Sequence, residues 1–239
     1  MNKRVLVVGS SRGIGRSVAS VLARDGFQVV IHGRAESDSL SETLESLSEF
    51  GARCLCFDIV DREQTGRVLA EELEEHGAFY GVVLCAGIAK DMAFPAMDPE
   101  SWDSVLSVDL DGFYNVLRPL VLPMVQLRAG GRIVVLSSVS GIVGNRGQVN
   151  YSAAKAGLIG ASKALSRELA KRKITVNCVA PGGVDTEMIE PRLREEMIKQ
   201  IPMGRLATTE EIAASVQYLF SEGAGYMTGQ TLILSGGMI

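Results

Sequence analysis

The sequence predicts an α/β protein built on one doubly wound parallel sheet with helices on both faces. Short β-branched runs alternate with helical stretches from end to end, which is the order a parallel sheet with crossover helices requires. The runs are near-continuously apolar rather than alternating, as expected of strands buried on both faces. No repeat, linker or low-complexity segment divides the chain, so residues 1–239 read as one domain, a length that supports a single sizeable core.

The first strand is predicted over 4–8, Arg-Val-Leu-Val-Val. It leads into Gly9-Ser10-Ser11-Arg12-Gly13-Ile14-Gly15, and a helix follows over 13–25 with Val18, Val21 and Leu22 on one side. Strand, glycine turn and helix in that order form a phosphate cradle. Glycines let the backbone approach a pyrophosphate, and the helix N-terminus offers free N–H groups. Strands at 28–32, 53–57, 81–85, 132–137, 174–180 and 230–235 then alternate with helices at 38–50, 61–76, 99–107, 110–128, 150–172 and 208–221. The result is a seven-stranded sheet of the Rossmann type, with its ligand at the C-terminal strand ends. Residues 186–204 interrupt the pattern after the Pro181-Gly182 turn, with a short amphipathic insert over Glu187–Gln200.

Composition excludes several classes. A 46% hydrophobic and 22% charged chain is ordinary for a water-soluble globule. The net charge of −4 gives no footprint for nucleic acid. No apolar stretch reaches the ~20 residues of a membrane span, and the first strand leaves no room for a signal peptide. Cys54, Cys56, Cys85 and Cys178 all fall in apolar runs without Cys-x-x-Cys spacing, which fits buried thiols in a reducing cytoplasm. Neither they nor the isolated His32 and His76 outline a metal site.

Chemistry concentrates around Tyr151-Ser-Ala-Ala-Lys155. Residues four apart in a helix share a face, one turn apart. A phenol is a weak acid near neutrality, at about 10 unperturbed, and an ammonium beside it favours the phenolate. Such a pair gives and takes a proton near pH 7. Ser138 follows the buried strand Ile133–Leu136, where its hydroxyl can hold a substrate oxygen.

The Gly9-x-x-x-Gly13-x-Gly15 spacing, taken with Ser138, Tyr151 and Lys155, resembles the short-chain dehydrogenase/reductase family over essentially the whole chain. Asp58-Ile59, Ala86-Gly87, Pro181-Gly182, Val184-Asp-Thr186 and the tail Tyr226–Met238 match in order. The resemblance implies hydride transfer to a ketone, with Tyr151 as proton donor and Ser138 holding the oxygen. Lys155 would bind the nicotinamide ribose. It places Gly9 to Gly15, Arg34, Asp58, Ile59, Cys85, Ala86, Gly87, Tyr151, Lys155, Pro181, Val184 and Thr186 around the cofactor, and makes 186–204 a substrate lid, where a plain surface helix fits the sequence equally. The second strand ends at Arg34 with no acid before Glu36, and Arg12 lies in the turn. Two arginines and no acid favour NADPH over NAD.

Three positions depart from the family. Val8 replaces a Thr, Leu84-Cys85 replaces Asn-Asn, and Asp109 replaces the catalytic Asn that supports a water leading to the lysine. Val8 and Cys85 lie on adjacent strands, so the two losses read as mutual. Asp109 holds the same water through one oxygen, or, ionised, fixes the Lys155 ammonium and weakens proton relay through it.

Gly141–Gly160 and Ile174–Gly182 are very similar to the β-ketoacyl-acyl-carrier-protein reductases, and His76–Val83, Asp109–Val116 and Met203–Arg205 to those of aryl-polyene or polyketide-like clusters. This resemblance implies an acidic carrier protein as partner. It assigns Arg128, Lys171, Arg172 and Lys173 to a basic docking patch at the mouth of the site, although a basic helix C-terminus complementing its dipole explains the same run. It also implies a homotetramer, joined through helices 110–128 and 150–172 and through the C-terminal strand. A reductase of a free alcohol, sugar or steroid, and a catalytically impaired NADP-binding regulator, remain alternatives.

Overall fold

A computed structural model describes residues 3–186 and 191–239. Seven strands form one all-parallel sheet in the order β3-β2-β1-β4-β5-β6-β7. They are β1 (Arg4–Val8), β2 (Gln28–Gly33), β3 (Arg53–Cys56), β4 (Gly81–Leu84), β5 (Gly131–Leu136), β6 (Ile174–Pro181) and β7 (Thr231–Leu234). The order reverses between β1 and β4, which opens a crevice at their C-terminal ends where ligands of such sheets bind.

Alternate side chains of each strand feed two cores. Val5 and Val7 join α1 (Gly13–Arg24) and α9 (Thr209–Phe220) through Val18, Leu22, Ile212 and Val216. Leu6 and Val8 face the other layer, built from α3 (Arg62–His76), α5 (Gly112–Leu127) and α7 (Val149–Leu169) through Leu69, Leu120 and Leu158. Each side chain fully buried in this way contributes about 1.5–3 kcal/mol. The remaining helices are α2 (Asp38–Ser46), α4 (Pro99–Leu106), α6 (Ser140–Val143) and α8 (Pro191–Gln200).

The expected elements all form, with shifts of a few residues at their ends. One difference matters for the site. Helices expected over 99–107 and 110–128 are not separated by a break. A π-helical segment, Ser107–Asp111, joins α4 to α5, and the extra residue in that turn rotates Asp109 inward, where it is buried. The amphipathic insert contributes α8, while residues 187–190 of the expected lid lie outside the described residues. α8 is tied to the preceding turn by Arg194, whose guanidinium makes two hydrogen bonds to Asp185, of 2.5 and 2.6 Å.

Candidate active site

Ser138 follows β5, Tyr151 and Lys155 open α7, and Asp109 comes from the π-helical turn before α5; Lys155 joins the last two elements to the end of β5. Ser137, the first residue past β5, anchors the helix: its hydroxyl donates to the Lys155 carbonyl at 2.9 Å. Gly141 lets α6 pack on the same turn, since a Cβ there would stand 2.7 Å from the Lys155 carbonyl carbon. The Lys155 ammonium lies 5.4 Å from the centre of the Tyr151 ring, on the face that the four-residue spacing predicts. It donates to the Leu136 carbonyl at 3.1 Å and pairs with Asp109 Oδ2 at 3.0 Å. Asp109 Oδ1 in turn accepts the Ile88 N–H at 2.8 Å. Burial opposes the Lys155 charge, but Asp109 and Tyr151 outweigh it and hold the lysine above its ordinary pKa. Lys155 is therefore a fixed cation at neutral pH. The Asp of this chain forms a direct ion pair with it.

Ser138 sits where the strand gives way to α6. Its Oγ accepts the Ser140 N–H at 3.2 Å, which leaves its own proton to direct at a substrate oxygen. The loop after β4 closes one side of the site. Met92 N–H donates to the Gly147 carbonyl at 2.7 Å, and buried Asn150 donates to the carbonyls of Lys90 and Ser101 at 3.2 and 3.0 Å.

The glycine turn has the form of a dinucleotide cradle. A side chain at Gly9, where φ is +76°, would meet Ala86 N and Cα at 2.7 Å, and one at Gly15 would meet the Gly9 carbonyl oxygen at 2.1 Å. No acid occupies the first turn of α1, so its positive end faces the turn uncompensated. Thr186 reaches across, its Cγ2 3.7 Å from where a Gly13 Cβ would be. Arg12 and Arg34 are exposed at this end of the sheet. Asp58 Oδ1 accepts the Val60 N–H at 3.0 Å, an Asx turn that shapes the exit of β3. The residues therefore fit a nicotinamide dinucleotide.

His32, set aside in the sequence as an isolated histidine, supports this cradle. Its Nδ1 accepts the Gly9 N–H at 3.2 Å and its Nε2 donates to the Phe57 carbonyl at 2.9 Å. That pattern requires the neutral ring, and burial depresses its pKa to about 4.

The side chains and carbonyls of several residues expected around the cofactor are engaged within the protein. Ser10 points away from the crevice: its hydroxyl is fully buried, donating to the Val7 carbonyl and accepting the His32 N–H, each at 2.8 Å. The Ser11 carbonyl is held by Arg16 and Thr43. Ile59 packs in the core while its carbonyl accepts from Asn115 at 2.8 Å. The Pro181 carbonyl accepts the Val139 N–H at 3.0 Å. These residues shape the pocket through backbone geometry. Val8 pairs with Leu84 and both enter the α3/α5/α7 layer, whereas Cys85 turns to the opposite one, so the two departures do not compensate each other. Burial pushes the Cys85 thiol up to about 12, against the pull of Lys155, which makes it inert.

The basic cluster is also displaced from its expected place. Arg128 and Lys171–Lys173 occupy the turns that precede β5 and β6, where the Lys173 carbonyl accepts the Gly131 N–H at 3.1 Å. Those turns lie at the N-terminal edge of the sheet, opposite Ser138. α7, 21 residues long, has Tyr151 in its first turn and Lys171–Lys173 just past its end, about 30 Å away. The cluster is not at the mouth of this chain's own site.

A family profile described as enoyl-(acyl carrier protein) reductase matches residues 8–239. A curated relative from Aggregatibacter actinomycetemcomitans, 3-oxoacyl-(acyl-carrier-protein) reductase FabG, is 50% identical over the whole of both chains. Proteins of the same name from Chlamydia trachomatis serovar D and Staphylococcus aureus strain Mu50 are 40% and 38% identical, over all of this chain and 98% of each relative.

Proposed function

This chain belongs to the short-chain dehydrogenase/reductase family, and from that premise we propose that it reduces a 3-oxoacyl thioester carried on acyl carrier protein to the 3-hydroxyacyl thioester, using NADPH. The observation that carries this reading is a buried, charged Lys155 held by Asp109 against the face of Tyr151, one helical turn away. The reaction named for the relatives is supported by this arrangement, since a phenol next to a fixed ammonium can give a proton to a ketone oxygen. The arginines Arg12 and Arg34, with no acid at the end of β2, support NADPH.

NADPH, when bound, supplies the hydride. The turn Gly9–Gly15 and the start of α1 take its pyrophosphate, Arg12 and Arg34 its 2′-phosphate, Asp58 its adenine, and Val184 and Thr186 its carboxamide. Ser138 donates to the ketone oxygen and orients it. Tyr151 gives its proton to the alkoxide as that charge develops. Lys155 binds the ribose and stabilises the phenolate left behind, held in position by Asp109. Residues 186–204 act as the lid over the acyl chain.

The acidic carrier protein meets Arg128, Lys171, Arg172 and Lys173. Because these residues lie about 30 Å from Tyr151 of the same chain, they serve the site of a second copy. An antiparallel pairing through α5 and α7 brings one protomer's cluster beside its partner's Tyr151, and exposed Tyr114 and Leu122 on α5 offer the apolar surface for it. A second interface at β7, with exposed Ile233 and Ile239, completes a homotetramer in the cytoplasm. The test is NADPH oxidation with an acetoacetyl thioester. Turnover in the wild type that falls at least a hundredfold in Tyr151→Phe, in line with loss of a general acid, supports the reading. Absence of turnover with NADPH still bound overturns it.

A further inference from the structure

We propose that Asp91 and Gln148 form a positioning device that sets the orientation of Ser138. The Gln148 side-chain nitrogen donates to both Asp91 oxygens, at 3.0 and 2.8 Å. A carboxylate accepts and never donates when ionised, so it fixes which end of the amide faces it. The amide oxygen must then face the other way, where it accepts from the Ser140 hydroxyl and from Asn145 Nδ2, each at 2.9 Å. Ser140 is the residue whose N–H fills a lone pair of Ser138 Oγ. Contacts therefore run from the loop after β4, through the residue that precedes α7, to Ser140, whose hydroxyl is held by Gln148 and whose backbone N–H holds Ser138.

These contacts have a directional consequence. With one Ser138 lone pair occupied by an N–H donor, the Ser138 proton becomes the hydrogen bond offered to the ketone. A flipped Gln148 amide would set its NH₂ group against the Asn145 NH₂ group and take away the acceptor of the Ser140 hydroxyl. Asp91 prevents the flip. Both Asp91 and Gln148 reach solvent, so neither is needed to close the core. The other charged groups of the seam are Lys90, paired with Glu100 at 3.7 Å, and the exposed Arg146 on the turn before Gln148.

The inference rests on the ketoreductase reading, and its test is built to fail separately. Gln148→Glu places two carboxylates in contact, so one of them holds a proton to higher pH than usual. The expected result is a kcat about tenfold below wild type at pH 8, as for loss of a hydrogen bond to a charged group, recovering as pH falls and the pair takes up a proton. Adding Asp91→Asn supplies the introduced carboxylate with an amide donor and restores kcat at every pH. NADPH affinity stays unchanged throughout. The Ser140 amide resonance, followed by NMR without substrate, shifts in Gln148→Glu and returns in the double variant, whether or not a 3-oxoacyl thioester is turned over. A Gln148→Glu variant with wild-type kcat, a flat pH response or an unmoved Ser140 resonance overturns the proposal.

Discussion

Asp109 Oδ2 and Lys155 Nζ stand 3.0 Å apart with both side chains sealed from water. The pair is possible because three separate elements agree: the π-helical turn that aims Asp109, the Ile88 N–H that holds its other oxygen, and the Ser137 bond that sets α7 on the sheet.

Breaking one side of this pair leaves a buried charge unmatched. Asp109→Leu is expected to lower unfolding free energy by about 3–5 kcal/mol, and replacing both partners, as Asp109→Leu with Lys155→Met, to recover most of that loss. Urea unfolding of the two variants measures the difference. The double variant is expected to be inactive, because the cation beside Tyr151 is gone. A double variant no more stable than the single one would mean that Asp109 acts by packing alone.

Gly87 is a glycine because of the same pair. A Cβ there would lie 2.9 Å from Asp109 Oδ2 and 3.0 Å from Lys155 Nζ, and its φ is not in the left-handed region, so space rather than backbone strain is the constraint. Gly87→Ala must push Asp109 Oδ2 aside and crowd Lys155 Nζ, which disturbs the pair, and small displacements at a reacting centre cost up to about a hundredfold. A tenfold or greater fall in kcat is expected. In an Asp109→Ala background the added loss should be smaller, which steady-state kinetics on the four-member cycle reads directly.

His32 makes the cradle acid-sensitive. Its pKa is depressed by burial to about 4, below the ~6.5 of an unfolded histidine. Between those values the unfolded chain binds more protons, so stability is full above about 6.5 and is lost as pH falls toward 4. The loss amounts to about 3 kcal/mol. Protonation also removes the acceptor for the Gly9 N–H. Thermal unfolding from pH 7 to 4 is expected to drop more steeply in the wild type than in His32→Gln, and parallel curves would rule this out.

Much of this arrangement was legible in the sequence, and the exceptions share a cause. The strands stood out because apolar runs such as Ile133–Leu136 have no other use, and Tyr151 with Lys155 because one helical turn fixes their relation. Ser10 shows the limit: a motif says which residue occupies a turn but not which way its side chain points. Asp109 faces inward only through the π-helical turn, which a 3.6-residue period does not reveal. Gln148 and Asp91 are 57 residues apart, and only the fold joins them. The polar run Asn145, Gln148 and Asn150 was the one available signal. The resemblance puts the basic cluster at the mouth of the site, yet a long helix carries its two ends to opposite edges of the sheet, so the end of the Tyr151 helix lies far from Tyr151.

That displacement yields the sharpest test of assembly. If Arg128 and Lys171–Lys173 serve a partner's site, a protomer with a dead site and an intact cluster can complement one with an intact site and a dead cluster. Tyr151→Phe supplies the first, and Lys171→Glu with Arg172→Glu the second. Alone, the charge-reversed protein is expected to keep full turnover of a free acetoacetyl thioester while losing turnover of the carrier-bound substrate, since long-range charge acts on encounter with an acidic partner. Mixed and re-equilibrated, the two inactive proteins should regain carrier-bound turnover, because hybrid protomers place an intact cluster beside an intact Tyr151. The regained rate should fall with added salt as surface charges are screened. Failure of the mixture, with subunit exchange confirmed by native mass spectrometry, would show that the cluster does not serve a partner's site, and undiminished carrier-bound turnover in the charge-reversed protein alone would make it a helix-terminal charge with no part in docking.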